Sequence, residues 1–453
     1  MILRDPVHGL VTFEGERERV VAALLRTREV QRLRRVRQLG LASLVFPGAE
    51  HSRFAHALGA AHVMSRLLDR LGPLCASLAP EQRIDDEAAR DALAAALLHD
   101  LGHGPYSHLF EYVLPGAPRH ERWTERFLLD AGSEVHAALE RLGQGSAERV
   151  ARLVFGEHRL SYLGHAVSGT LDVDRCDYLL RDSHMTGVRY GIYDLDWLLR
   201  ALSLGVAPSG EPVLAVEGRK GLPPLEGFFL ARNFMYQQVY HHKAVRAAEV
   251  LVRAILLRAS ELLREGHELP AVPAALLSAA RGDPVQLGDY FDMDDARLSH
   301  ALSSFQYARD PLLADLAQRF FSRVLPKTLP LPDAPEGPEL SLLWQSCHER
   351  AAEVAARSGF RPELYVWLDL PSDVPYAEPD VADEEVHDRV LWVSLRHRPM
   401  TPLGDVSFLL RQLRNKRTVR PRLVFPGELR EAIGSAVEPL LAQAGLPSAG
   451  PGS

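Results

Sequence analysis

The chain has 453 residues, of which 46% are hydrophobic and 25% charged, and its formal net charge is −7. This composition is typical of a folded globular protein, and it argues against a general nucleic-acid coat, which needs a basic face. Three cysteines without CxxC spacing argue against a disulfide framework or a thiolate zinc site. Because the sequence has no signal-peptide core and no apolar run long enough to span a bilayer, we expect a soluble, cytoplasmic protein.

Most long segments of the first half have a helical period. RFAHALGA at 53–60 predicts a buried helix that carries His56. IDDEAARDALAAALL at 84–98 predicts a second helix, with acidic residues at its positive end and with His99 and Asp100 in its last turn, before glycines that stop it.

The second half contains both strands and helices. EPVLAV at 211–216 indicates a short strand pair near residues 212 to 217, and a long helix is predicted from about Leu225 to Leu263. A proline-rich stretch at 326–340 without helical period is the predicted linker. It would separate a mainly α core, residues 1–325, from a smaller α+β C-terminal lobe, residues 341–453.

Histidines and carboxylates accumulate around these helices. A lone histidine on an apolar helix face is commonly a hydrogen-bonded core residue, and each one is compatible with that interpretation. Asp172 and Asp174, however, lie among leucines and valines that are predicted to be buried, and unpaired buried carboxylates are costly. They need a cation or a hydrogen-bond donor.

The order of several motifs carries a resemblance to a known family. They are DPVHG, QRLRRVRQLG, VFPGAEHSRFAH, LLHDLGHGPYSHLFE, HERW, LDVDRCDYLLRDSHMTG and ARNFMYQQVYHHK. In this order they resemble the HD-domain deoxynucleoside triphosphate (dNTP) triphosphohydrolases, in particular the branch of the vertebrate protein that has a sterile alpha motif before its HD domain. The resemblance implies an HD-domain helical phosphohydrolase core, and we expect the sterile alpha motif to be absent.

The resemblance also implies a metal site and an acid–base group. The metal ligands would be His56, His99, Asp100 and Asp174. This nitrogen and oxygen set suits manganese, iron, magnesium, zinc, nickel or cobalt and does not choose among them. Such an ion polarises a phosphoryl oxygen and activates water. His120, oriented by Glu111, would be the general acid, and His103 and His108 would bind the phosphate nearest the sugar.

Further residues would bind the substrate. Arg232, Tyr236, Tyr240 and Lys243 have the spacing of one helix face, which is also compatible with a solvated, salt-bridged surface. By resemblance, the outer phosphates would be bound by Arg53, Arg175, Arg232 and Lys243, and Tyr240 would pack by the sugar. Gln38, Tyr178 and Asp182 would contact the 3′ hydroxyl and crowd the 2′ position, although Tyr178 is equally compatible with an ordinary core role.

A basic run in the C-terminal lobe indicates either a solvated surface or a second site for a nucleotide or single-stranded nucleic acid at an oligomer interface. It comprises Arg411, Arg414, Lys416, Arg417, Arg420 and Arg422. The resemblance also implies a dimer or tetramer.

Together these features predict a metal-dependent hydrolase that converts a dNTP and water to a deoxynucleoside and tripolyphosphate. Two alternatives stay open. One is an HD phosphohydrolase acting on a nucleoside monophosphate, a signalling nucleotide or a DNA end. The other is a nucleotide or nucleic-acid sensor without turnover.

Overall fold

Helices dominate the architecture. The computed structural model describes residues 1–107, 111, 119–333, 338–379, 389–396 and 398–443. Up to residue 201 the helices are α1 (Arg19–Leu24), α2 (Arg28–Arg32), α3 (Arg53–Leu74), α4 (Asp86–Leu98), α5 (His120–Leu129), α6 (Glu134–Leu142), α7 (Ser146–Val154), α8 (Ser161–Val167), α9 (Val173–Thr186) and α10 (Leu195–Ala201). From residue 222 onward they are α11 (Leu222–Met235), α12 (Lys243–Arg264), α13 (Ala274–Arg281), α14 (Leu287–Phe291), α15 (Asp295–Ser304), α16 (Pro311–Phe321), α17 (Pro338–Arg357), α18 (Pro362–Tyr365), α19 (Leu403–Val406), α20 (Phe408–Leu413) and α21 (Arg430–Gln443).

The strands form four small sheets in the described part of the chain. They are β1 (Ile2–Asp5), β2 (Gly9–Thr12), β3 (Leu202–Val206), β4 (Pro212–Glu217), β5 (Lys327–Pro330), β6 (Trp367–Asp369), β7 (Ser372–Asp373), β8 (Trp392–Ser394), β9 (Thr401–Pro402), β10 (Thr418–Val419) and β11 (Arg422–Phe425). Their orders are β1-β2, β10-β7, β5-β11-β6 and β3-β4-β8-β9. The mainly α fold with an α+β lobe is therefore confirmed.

The core is built around α3, which packs against both α4 and α9. α4 contacts α3 on one side and α7 on the other, and its residues 92–98 are alanines and leucines that are completely buried. Small alanine side chains let neighbouring helices approach closely, and each buried leucine contributes about 1.5–3 kcal/mol. The ends of α3, α4 and α9 are thereby held together.

The C-terminal lobe is joined to the helical core by a shared sheet. β8 pairs in parallel with β4, and residues such as Tyr376, Leu391 and Leu410 belong to the main hydrophobic cluster. A second cluster lies between α17, α21 and the β5-β11-β6 sheet. The proline-rich stretch predicted as a linker contributes β5, which pairs with β11.

The long helix predicted from Leu225 to Leu263 is interrupted. α11 ends at Met235, the π-helical turn Tyr236–Tyr240 follows, and α12 begins at Lys243. His242 caps α12, because its Nδ1 accepts a hydrogen bond from the Ala244 N–H (3.3 Å). Side chains before and after this break therefore do not share one helix face.

No helix in the described ranges combines the length and the apolar character needed to cross a membrane.

The crossing of α3 and α9 predicts an unusual response to a glycine substitution. A Cβ at Gly59 would overlap the Asp177 carboxylate. Although alanine normally stabilises a helix interior relative to glycine, we expect Gly59→Ala to lower the free energy of unfolding by about 1–3 kcal/mol.

Chemical denaturation of Gly59→Ala and of Gly227→Ala provides the measurement. A Cβ at Gly227 in α11 would meet no atom within 4 Å, so this control should gain about 0.5–1 kcal/mol. Equal changes in the two variants would contradict the close approach at Gly59.

Candidate active site

Four predicted metal ligands lie together at three helix ends. His56 lies in the first turn of α3, and Asp174 lies in the first turn of α9. His99 is the C-cap of α4, and Asp100 follows it, so this pair lies just beyond the last turn and not within it. The packing of the three helices brings these side chains to one point.

The ligand atoms have the spacing of a single metal site. His56 Nε2 lies 3.0 Å from Asp174 Oδ1 and 3.2 Å from His99 Nε2, and His99 Nε2 lies 3.5 Å from Asp174 Oδ1. Asp100 is slightly farther away, with oxygens 3.5 Å from His99 Nε2 and 3.7 Å from His56 Nε2. Neighbouring ligands about 2.1 Å from one ion are about 3 Å apart in octahedral and about 3.4 Å apart in tetrahedral coordination. The residues therefore fit a divalent metal held by nitrogen and oxygen.

The electrostatics of this group favour a cation. Burial disfavours the charged form of His56, but hydrogen bonds with Asp174 and Asp177 outweigh it and raise the pKa of His56 to about 10. Burial likewise favours protonated Asp174, but hydrogen bonds from His56 and His99 outweigh it and lower the pKa of that carboxyl. The site therefore attracts positive charge, which a bound metal ion supplies.

A buried carboxylate orients the predicted ligand His56 through the ring nitrogen that faces away from the other predicted ligands. His56 Nδ1 is 2.8 Å from Asp177 Oδ2, and His8 Nε2 is 2.6 Å from Asp177 Oδ1. Arg181 also donates to both oxygens of Asp177 and, through NH1, to Asp5 (2.8 Å). A carboxylate that accepts the second N–H of a histidine fixes its tautomer and ring orientation as a metal ligand.

A second polar group lies beside the ligands. His103 and His120 stack with ring centroids 3.8 Å apart, and His120 Nδ1 is 3.2 Å from Glu111 Oε2. His103 also contacts Asp100, with Nε2 3.1 Å from Oδ1. Burial and the neighbouring Arg53 lower the pKa of His103 well below its usual range, so this ring is neutral near pH 7. His108 lies outside the described residues.

A cavity of about 670 Å³ opens beside the metal ligands. It is lined by Arg53, Asp174 and Arg175, by the predicted sugar contacts, and by residues in and after the π-helical turn. The last two groups comprise Gln38, Tyr178, Asp182, Tyr236, Tyr240, His241 and Arg246. The volume is within the range of small-molecule sites.

Two predicted phosphate-binding arginines are bonded to acids within this site. Arg53 donates to Asp100 and to Ser107 Oγ (3.0 Å). Arg175 donates to Asp172, which caps the N-terminus of α9. These contacts keep the two guanidiniums beside the ligands.

Arg232 pairs with the C-terminal lobe. Its NH1 and NH2 donate to the two carboxylate oxygens of Asp373 at 3.0 and 2.8 Å, and NH1 also donates to the carbonyl of Val374 (2.9 Å). Its guanidinium lies 4.5 Å from the Tyr236 ring centroid. Arg232 lines a neighbouring cavity of about 690 Å³, and Arg175 lines both cavities.

Lys243 lies apart from the other predicted phosphate contacts. It lines a different cavity, together with Arg323, Lys327 and Arg430, and is not among the residues that line the cavity beside the metal ligands. The expectation that Lys243 shares a face with Arg232 and Tyr240 does not hold, because the helix is interrupted between them. Arg246, one turn into α12, lines the cavity instead.

The basic run of the C-terminal lobe is divided between buried and exposed positions. Arg414 pairs with Glu378 (3.0 Å) and Asp405 (2.8 Å), and Arg422 is buried and donates to the His241 carbonyl (3.0 Å). Arg411, Lys416 and Arg417 are exposed, and Arg420 is half-buried. A second nucleotide or nucleic-acid site on this run stays a prediction.

Sequence reasoning did not assign roles to several residues of this site. His8 and Asp5 belong to the DPVHG motif, and Asp177 lies in the same motif as Asp174, so their presence in these motifs was the available signal. His51, which contacts Asp182 at 2.8 Å, lies in VFPGAEHSRFAH. His241 lies in ARNFMYQQVYHHK, and Arg246 had no distinguishing signal beyond its nearness to that motif.

Comparisons with known proteins identify the family of the chain. Residues 53–182 match the HD domain family. The chain is 32% identical to the uncharacterized protein YwfO of Bacillus subtilis over 94% of this chain and 92% of that protein. A crystal structure of a phosphohydrolase from Bacteroides thetaiotaomicron has a TM-score of 0.74 and 28% identity, and the match covers 94% of this chain and 99% of that one.

A more distant relative names a substrate class. Human deoxynucleoside triphosphate triphosphohydrolase SAMHD1 is 26% identical over 58% of this chain and 45% of its own length. The chain belongs to the HD-domain phosphohydrolases, in the branch that includes SAMHD1 and YwfO. HD domains are metal-dependent, and the His and Asp group described above is able to hold the ion.

The contact between His8 and Asp177 generates a prediction about metal affinity. Removing the His8 donor in His8→Phe leaves Asp177 less constrained, and we expect the affinity for the divalent metal to fall about 10- to 100-fold. Titration with a competing chelator, followed by metal analysis, measures this affinity.

The matched control is His62→Phe. The His62 ring lies 5.2 Å from the His8 ring, centroid to centroid, and no hydrogen bond joins it to Asp177 in the described residues. This variant should bind metal like the unmodified protein. Equal metal affinity in all three proteins would mean that His8 does not support the site.

Proposed function

We propose that this protein is a metal-dependent dNTP triphosphohydrolase, which converts a dNTP and water to a deoxynucleoside and tripolyphosphate. The observation that carries the proposal is that a single cavity is lined both by Asp174, Arg53 and Arg175 and by Gln38, Tyr178 and Asp182. A nucleotide bound along this cavity would have its phosphates beside the metal ligands and its sugar among the polar and aromatic groups.

The metal ligands would be His56, His99, Asp100 and Asp174. A divalent ion bound there polarises a phosphoryl oxygen and increases the acidity of water. Asp177 holds His56 in orientation, and Arg53 holds Asp100. These contacts mean that the ligand side chains are arranged before the substrate arrives.

The residues beside the ligands supply the proton and the positive charge that phosphoester cleavage needs. His120, paired with Glu111, would protonate the 5′ oxygen of the leaving deoxynucleoside. His103 and, by resemblance, His108 would bind the α-phosphate. Arg53 and Arg175 would contact the phosphates, and Arg232 would bind the outer ones from the adjoining cavity.

The predicted sugar contacts would distinguish deoxyribose from ribose. Tyr178 packs edge-to-face against Tyr240, with centroids 6.1 Å apart, and against His56, with centroids 6.5 Å apart. A ring held between the metal site and the sugar pocket would leave no room for a 2′ hydroxyl, and exclusion of this kind is a steric basis for selectivity. Assembly into a dimer or tetramer is proposed by resemblance alone, and light scattering with and without dNTP tests it.

The reaction is tested by product analysis. Each dNTP and NTP is incubated with Mn²⁺, Mg²⁺ or Co²⁺, and the products are separated by anion exchange. We expect equal amounts of deoxynucleoside and tripolyphosphate, and we expect Asp100→Ala to abolish both because it removes a metal ligand. The control Asp86→Ala changes an exposed residue at the opposite end of α4 and should retain activity.

Other outcomes would replace the proposal. Release of a nucleoside monophosphate and pyrophosphate would indicate cleavage of a different bond of the dNTP. Turnover only of a monophosphate, signalling nucleotide or DNA end would indicate an HD phosphohydrolase with a different substrate. Metal binding and nucleotide binding without any product would indicate a sensor.

The proposed exclusion of the 2′ hydroxyl by Tyr178 predicts that its removal changes the selectivity for dATP over ATP. In Tyr178→Ala the space beside the 2′ position opens, and the kcat/KM for ATP relative to dATP should rise about tenfold or more. Steady-state kinetics with both nucleotides measure this ratio.

Tyr236→Ala is the matched control, since it removes another tyrosine that lines the same cavity. Its dATP preference should be unchanged even if its overall rate falls. The same ratio in Tyr178→Ala as in the unmodified protein would show that Tyr178 does not exclude the 2′ hydroxyl.

A further inference from the structure

His51 connects two residues that line the cavity, Asp182 and Gln38. Its ring Nε2 is 2.8 Å from Asp182 Oδ1, and its backbone carbonyl accepts a hydrogen bond from the Gln38 N–H (3.0 Å). The other oxygen of Asp182 accepts a hydrogen bond from the Tyr240 hydroxyl (2.7 Å). Three residues that line the cavity are therefore joined through His51 and Asp182.

The proton positions in this network follow from the chemistry of the groups. An ionised carboxylate only accepts hydrogen bonds, so the proton of the His51–Asp182 contact is on His51 Nε2. Burial and Asp182 raise the pKa of Tyr240 well above its usual range, so its hydroxyl stays protonated and donates. His51 Nδ1 is buried without a hydrogen-bond partner among the described residues. The ring is therefore tied to the protein through Nε2.

The loop that carries His51 lies directly against α9. A Cβ at Gly48 would overlap the Met185 carbonyl near the end of that helix, so the loop approaches the helix backbone as closely as glycine allows. Asp182 lies one turn before this contact. Since His51 is 7% exposed and the Asp182 side chain 2% exposed, the ring has little freedom to leave the carboxylate.

Two donors on the protein side leave Asp182 able to accept a third hydrogen bond. A carboxylate has about four acceptor positions, of which His51 and Tyr240 take two. Asp182 lines the cavity, so a ligand hydroxyl is able to reach a remaining position. A hydrogen bond to a charged, oriented and desolvated acceptor discriminates strongly against a ligand that lacks the hydroxyl.

We propose that His51 is a positioning residue for recognition of the 3′ hydroxyl of the deoxyribose, which it achieves by holding Asp182 in place. The inference rests on the proposed function, since it names how a deoxynucleotide would be recognised at the same cavity. His51 does not touch the substrate. It directs the Asp182 carboxylate toward the sugar, and the protein thereby prefers nucleotides with a free 3′ hydroxyl over 2′,3′-dideoxynucleotides.

The experiment compares the affinity for dATP with that for 2′,3′-dideoxy-ATP. Equilibrium dialysis is carried out in a His120→Ala background with metal present, so that the proposed acid is absent, and the nucleotides are analysed afterwards for integrity. We expect dATP to bind about 10- to 100-fold more tightly than its dideoxy analogue, as for a hydrogen bond to a charged acceptor. In His51→Leu this ratio should fall toward one.

Two further variants separate positioning from general stability. His51→Gln retains an N–H donor close to the position of Nε2 and should restore most of the ratio. His136→Leu removes another partly buried histidine, whose Nδ1 lies 2.9 Å from the Leu128 carbonyl in a different part of the core. This control should leave the ratio unchanged.

The possible outcomes distinguish a failure of the His51 inference from a failure of the proposed function. A ratio that stays the same in His51→Leu, with both affinities lowered equally, would overturn the positioning role. So would a starting protein that binds the two nucleotides equally well. Loss of the ratio in His51→Leu and its return in His51→Gln would support His51 even if the unmodified protein releases no tripolyphosphate, in which case only the proposed reaction fails. No binding of either nucleotide would overturn both.

Discussion

The buried carboxylate of Asp177 is the interaction on which the candidate site depends. Its side chain is fully buried, and a buried charge is tolerated only when it is paired and hydrogen-bonded. Asp177 obtains these partners from three places, His56 on α3, His8 in the β1–β2 turn and Arg181 on its own helix. The need to satisfy one carboxylate therefore brings the first residues of the chain, α3 and α9 to the same point.

The site is formed from helix ends, and at two of them the helix field suits the charge of the side chain there. Asp172 caps α9 and Asp174 lies in its first turn, where the positive end of the helix dipole favours carboxylates. His99 lies at the C-terminal end of α4, where the exposed carbonyl groups of the helix favour cations. The helix fields therefore favour Asp174 and a cationic His99, whereas Asp100 at the same end of α4 relies on its pairing with Arg53.

Local pattern was sufficient for the elements that contain these ligands. Helical periodicity predicted α3 and α4, and the residues before and after α4 indicated where it begins and ends. It failed for the break at Tyr236–His242, because a π-helical turn and a histidine cap interrupt the helix without glycine or proline to signal it. For the same reason, the prediction that Lys243 shares a helix face with Arg232 is wrong.

Contacts between distant positions were beyond prediction from one sequence. His8 and Asp177 are 169 residues apart, and Arg232 and Asp373 are 141 residues apart. Each of these residues has an ordinary local context, and only the packing of the helices and of the C-terminal lobe determines its partner. The predicted metal ligands lie within short motifs that carry the resemblance, whereas the groups that contact them are spread along the chain.

The pairing of Arg232 with Asp373 couples the C-terminal lobe to any anion that binds beside Arg232. Two anions held by the same guanidinium repel each other, so phosphate binding and attachment of the Asp373 segment oppose one another. Thermodynamic linkage makes this opposition reciprocal, with each weakening the other by the same factor. Substitutions in residues 372–376 are therefore able to alter anion affinity at Arg232 without touching the anion. A C-terminal lobe that is bound less firmly through Asp373 would leave Arg232 with a higher affinity for the anion.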